Sequence, residues 1–100
     1  MTTDQFAQVP LRIIVASLTN PRKTFDPVTL LELSESIKAS GVHQPVLLRA
    51  LPGSRVADTD RAVEYELVAG ERRYRASQMA GLGTIPALIR PLTDQQVLEI

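Results

Sequence analysis

Glu66-Leu67-Val68-Ala69-Gly70-Glu71-Arg72-Arg73-Tyr74-Arg75-Ala76 runs an apolar strand through one glycine into an arginine-rich helix. A helix N-terminus leaves backbone N–H groups unpaired and carries a partial positive charge, so it receives anions readily. Gly70 has no Cβ, which would let an anion approach the backbone. Arg72, Arg73 and Arg75 add guanidinium forks that match phosphate oxygens in pairs. The chemistry suggested is polyphosphate binding. A merely solvated arginine face is the competing reading of the same residues.

Working outward, residues 71–80 read as the helix, closed by Gly81 and Gly83, with Tyr74 and Met79 turned to the core. Residues 84–91 read as a short strand. Thr93-Asp94-Gln95-Gln96 is a capping box that opens another helix. That helix is only beginning at Ile100, and with no C-cap in view the chain reads as cut from something longer.

Upstream, residues 62–69 and 44–50 read as strands. The Pro-, Gly- and Ser-containing residues 51–61 between them read as an inert connection or wide hairpin tip. Asp26 can cap a helix that begins with Pro27 and ends at Gly41, with Leu30, Leu33 and Ile37 along its buried face. Residues 17–22 read as a loop, residues 9–16 as a β-type run and residues 1–8 as a loose leader. Strands and helices alternate, which predicts a small mixed α/β domain over residues 9–100.

Composition narrows the function. One hundred residues support one domain, and 44% hydrophobic content permits a core. Two Phe, two Tyr and no Trp make that core aliphatic. Eleven basic side chains are cancelled by eleven acidic ones, whereas a self-sufficient duplex-DNA binder carries a basic excess. No cysteine is present, which excludes disulfides, thiolate zinc sites and thiol catalysis. His43, the single histidine, cannot form a histidine metal cluster. No apolar run reaches membrane-span length and the start lacks signal-peptide character, so a soluble cytosolic protein is expected.

Three blocks in order carry a family resemblance: Asn20-Pro21-Arg22-Lys23-Thr24-Phe25-Asp26, then Ser36 through Arg49 with Gly41-Val42-His43-Gln44-Pro45, then Val68 through Ser77. From Pro10 onward the chain closely resembles the N-terminal domain of ParB-type partition proteins. The resemblance implies an α+β ParB/sulfiredoxin-like fold with a small mixed sheet and three to four helices. It implies a domain that binds CTP with Mg2+ and that, in the full-length protein, dimerises and closes as a clamp on DNA. It further implies a partition ATPase contacting the N-terminus, and a cytoplasmic, nucleoid- or plasmid-associated protein. A third motif (Glu-Asn-x-Gln-Arg), a helix-turn-helix and a dimerisation domain are expected beyond Ile100. Magnesium is expected to be held by the phosphates and that third motif, not by residues of this chain.

Carried over residue by residue, Gly70, Glu71, Arg72 and Arg73 hold phosphates, with Arg22 approaching from the opposite wall or else pairing with an acidic loop residue. Gln44 and Pro45 line the base side, where a buried glutamine amide suits a pyrimidine edge; the alternative is that Gln44 pairs only with loop backbone. Glu71 and Asn20 are the candidates for handling water. Asn20 departs from the family's Gln-Pro-Arg by one methylene, and hydrolysis tolerates little misplacement, so any CTPase activity is expected to be slow and to need the full-length protein. Arg75 either reaches the ligand or lies in solvent, and His43 is read as a surface residue. Two other readings stand beside the CTP switch: an interaction module with a decayed nucleotide site, and a small kinase or nuclease on the same fold.

Overall fold

Pro10 divides the first apolar run. The computed structural model describes residues 4–16, 25–59 and 62–99. In it the run expected as one strand becomes β1 (Gln5–Pro10), a 3₁₀ turn (Leu11–Ile13) and β2 (Ile14–Ala16). Proline has no N–H to give a ladder, so it ends an edge strand rather than continuing through it. Leu11 N–H then bonds Gly83 O at 3.0 Å. β1 begins at Gln5, inside the stretch expected to be loose, and Asp4 before it pairs with Arg90 at 2.9 Å.

The remaining strands are β3 (Val46–Ala50), β4 (Tyr65–Ala69) and β5 (Thr84–Ile89), and the sheet order is β1-β5-β3-β4-β2. β1–β5 and β3–β4 pair antiparallel, while β3–β5 and β2–β4 pair parallel. The helices are α1 (Pro27–Ser40), α2 (Glu71–Met79) and α3 (Asp94–Leu98). α1 has the ends its sequence announces: Asp26 accepts from Val28 N–H at 2.9 Å, and Gly41 turns to φ 81. The capping box at α3 is also formed, with Thr93 N–H to Gln96 Oε1 at 2.8 Å and Gln96 N–H to Thr93 Oγ1 at 3.2 Å.

Leu48 faces Leu67 across β3–β4, and with Val46, Ile85, Ala87 and Tyr74 they form the core against α2. Tyr74 is buried there as expected. Met79 is not: it is 48% exposed, and Ala76 and Ser77 fill the buried face instead. Ser77 is tolerated in the core because its hydroxyl donates back to Arg73 O at 2.7 Å.

The opposite sheet face is charged. Arg49 pairs in register with Glu66, which is 2% exposed. Arg49 places Nε at 2.8 Å and Nη2 at 2.7 Å from Glu66 Oε1, while Arg55 Nη1 lies 2.8 Å from Oε2. Arg55 comes from the segment expected to be an inert tip. Part of it, Gly53–Asp58, forms a 3₁₀ turn that tucks this side chain under the sheet, where Nη1 also donates to Ala16 O at 2.8 Å. Arg55 Nε is buried with no hydrogen-bond partner. Arg49 continues to Asp94 of α3 at 2.9 Å and to Leu92 O at 3.1 Å. A carboxylate taken out of water is costly unless paired and hydrogen-bonded, and two arginines meet that requirement. Burial works against the charge on Arg49, but the Glu66 and Asp94 hydrogen bonds outweigh it and raise its pKa further.

Candidate functional site

β2 and β4 run parallel, with Ala16 opposite Leu67, so both end at the same margin of the sheet, where β4 delivers Gly70. Gly70 adopts φ 96 and ψ 31, a left-handed conformation that L side chains rarely take. A Cβ on it would stand 2.8 Å from Val46 Cγ1. The missing Cβ thus lets β3 and the start of α2 approach each other. No side chain caps α2, and the helix opens with its first-turn N–H groups outside the helical ladder.

Arg73 joins two of the expected blocks. Its Nη1 donates to Gln44 O at 3.1 Å and to Pro45 O at 2.9 Å, fixing the loop between α1 and β3 to the first turn of α2. Gly70, Arg73, Gln44 and Pro45 are thus brought together. Gln44 is exposed rather than buried, and it is its main-chain carbonyl that Arg73 holds. Pro45 is exposed too. Glu71 and Arg72 are half-buried on the same turn. His43 lies at the surface as expected, with Nε2 3.3 Å from Ser40 Oγ. Asn20 and Arg22 fall outside the described residues.

Arg75 is exposed, yet it has partners of its own. Its Nε lies 3.0 Å from Glu71 Oε2, and its guanidinium carbon sits 4.8 Å from the centroid of the Phe25 ring. The Glu71 side chain is 10% exposed and that of Arg75 46%. Sequence reasoning overlooked this arrangement, although the i,i+4 spacing of Glu71 and Arg75 signals an ion pair on a helix. Nothing local in the sequence places Phe25 against them.

Tyr74 sits below the site. Its hydroxyl donates to Ile14 O at 3.0 Å and accepts from Gln78 Nε2 at 3.2 Å, and burial raises its pKa. Among the described residues no group of three or more His, Cys, Asp or Glu side chains could hold a metal ion. No helix among the described residues is long and apolar enough to cross a membrane.

Comparison with known proteins follows the same lines. The ParB N-terminal domain family matches residues 1–100. The chromosome-partitioning protein ParB of Caulobacter vibrioides is 46% identical over 93 residues, which are 93% of this chain and 28% of that protein. A C-terminally truncated ParB from Caulobacter crescentus complexed with CTP-gamma-S superposes with a TM-score of 0.82 at 44% identity, over 95% of this chain and 49% of that one. The same truncated protein complexed to the centromeric parS site gives 0.73 at 43% identity, over 93% and 43% of the two chains. Sulfiredoxin from Arabidopsis thaliana gives 0.69 at 27% identity, over 95% and 94%, so the mixed sheet with its three helices is the ParB/sulfiredoxin-like fold. The chain spans under a third of the length of the Caulobacter vibrioides relative. Matched from its first residue to its last by one domain family, and folded like that family's solved representatives, the chain belongs to the ParB N-terminal domain family.

Proposed function

We propose that this chain is the CTP-binding switch domain of a DNA-partition protein. The observation that carries the reading is Arg73, which ties the Gln44-Pro45 loop to the opening turn of α2. A triphosphate meeting that turn encounters first-turn N–H groups, Arg72, and the remaining donors of the Arg73 fork. The base lies on the Gln44-Pro45 side. A relative of the same fold complexed with CTP-gamma-S supports the choice of nucleotide.

Binding acts as a switch if the ligand holds one arrangement of these elements more tightly than another. Anion contact at α2 and base contact at the Gln44 loop meet through one side chain, so a ligand touching both favours the arrangement in which Arg73 keeps them together. Two copies then close around DNA. The balance of eleven basic and eleven acidic side chains puts sequence-specific DNA contact on other parts of the protein; dimerisation belongs to those parts too, while a partition ATPase contacts the N-terminus. Magnesium, bound with the nucleotide, supplies charge neutralisation of the phosphates. Glu71 and Asn20 handle the water that resets the switch, and the shorter Asn20 amide makes that reset slow.

Calorimetric titration of CTP, ATP, GTP and UTP with magnesium into the natural gene product containing this chain tests the reading. Selective heat for CTP, lost in Arg73→Ala, is the expected result. Silence for all four nucleotides overturns it and leaves a protein-interaction module as the better account.

A further inference from the structure

Glu71 poses an electrostatic difficulty for the nucleotide reading, on which this inference rests. A carboxylate in the first turn is favoured by the helix dipole when no ligand is present. Beside a triphosphate it is a like charge, and its side chain is 10% exposed, so water screens it poorly. The structure points to an answer in Arg75, one turn further along.

We propose that Arg75 is a positioning residue for the nucleotide site, holding the Glu71 carboxylate in place and offsetting its charge, with Phe25 fixing the guanidinium. Nε of Arg75 is 3.0 Å from Glu71 Oε2, and the guanidinium carbon is 4.8 Å from the Phe25 centroid. An exposed i,i+4 ion pair ordinarily contributes little. Two features set this pair apart from a surface decoration. The carboxylate is largely covered, and an aromatic face holds the cation in one orientation, which reduces the freedom a long side chain must lose. The ring belongs to the stretch that leads into α1, so the stack also joins the start of α1 to α2.

The two roles open to Arg75 differ in a double-mutant cycle. If it touched the phosphates directly, its loss would weaken nucleotide binding whatever stood at position 71. Acting through Glu71, its loss matters only while the carboxylate is there to repel the ligand.

The experiment titrates CTP into the natural gene product as wild type, Arg75→Ala, Glu71→Gln and the double variant. Glu71→Gln serves as its own reference, since Glu71 belongs to the site. Arg75→Ala is expected to weaken CTP on the order of tenfold in the wild-type background, and by less than about twofold in the Glu71→Gln background. Folding should be undisturbed, because alanine is the best helix former and the position is partly exposed, so melting temperatures of the four proteins serve as the control. An equal loss in both backgrounds overturns the proposal in favour of direct contact, and no loss in the wild-type background reduces the pair to a surface one. Failure of the wild type itself to bind CTP instead sinks the nucleotide reading.

Discussion

Val46 Cγ1 stands 2.8 Å from where a side chain on Gly70 would begin, so the first residue of β3 and the residue before α2 occupy one shared space. The turn that opens the candidate site is therefore set by packing beneath it as well as by its own backbone. Gly70→Ala combines a left-handed conformation with a clash against Val46, each costing roughly 1–3 kcal/mol. Adding Val46→Ala removes the clash and keeps the backbone penalty. Urea unfolding should then show Gly70→Ala less severe in the Val46→Ala background than in the wild type, and equal penalties in the two would refute the packing argument.

Glu66 takes hydrogen bonds from Arg49 and Arg55 on the other face of the sheet. Glu66→Gln leaves two buried guanidinium groups without their shared counter-charge. Breaking a buried pair in this way costs about 3–5 kcal/mol, whereas replacing all the charged partners by apolar residues of similar volume is often close to neutral. Denaturant unfolding of Glu66→Gln and of a Glu66→Leu/Arg49→Met/Arg55→Met variant should therefore rank the triple substitution as the more stable. The reverse order would show that the network stabilises the fold outright.

Tyr74 carries a phenol whose pKa is raised by burial above its ordinary value of 10.0. The folded state holds the proton more tightly than the unfolded one, so this contribution is intact below pH 10 and declines as pH rises toward the folded-state value. In an alkaline titration followed by tyrosinate absorbance, Tyr74 should ionise above the ordinary phenol range, or only as the chain unfolds. Tyr74→Phe removes the bond to Ile14 O, at a cost of about 0.5–1.5 kcal/mol. Normal titration of Tyr74 in a chain that stays folded would contradict its burial.

Asp4 is held below the ordinary carboxylate value of 3.8 by its hydrogen bonds to Arg90. Its contribution is present above that value and is lost as the pH falls through the lower, folded-state pKa. Asp4→Asn at neutral pH should reproduce the acid effect locally. Amide exchange in β1 is expected to quicken relative to β3, and unchanged exchange would show that the pair does not hold the strand.

The features legible in the sequence were those governed by near neighbours. Asp26, Pro27 and Gly41 announced both ends of α1, and Thr93 with Gln96 announced the start of α3, because caps act over a few residues. The ParB/sulfiredoxin-like fold was also legible, through the order of three motif blocks. What stayed hidden depends on contacts far apart along the chain. The Arg55–Glu66 pair spans 11 residues and Arg73 reaches 29 residues back to Gln44, distances at which no local pattern operates. The burial of Glu66 was not legible, because alternation along β4 distinguishes two faces without saying what covers the second. Met79 looked buried from its spacing alone, but α2 stops at that residue. Of the site, Gly70, Arg73, Gln44 and Pro45 were foreseen as neighbours, whereas the filling of Gly70's space by Val46 and the stack of Arg75 on Phe25 were not.

The pairing of β1 with β5 also sets an order of events during synthesis. Asp4 and Arg90 are 86 residues apart, and β5 lies between β1 and β3 in the sheet. A nascent chain that has emerged as far as α2 already contains Gln44, Gly70 and Arg73, yet one edge of β3 has no strand to pair with until β5 follows. Closing so long a loop is entropically costly before its contacts are made. The sheet is therefore completed last between β1 and β3, and during that interval the apolar edge around Leu48 is the part of the nascent domain most open to mispairing with another chain.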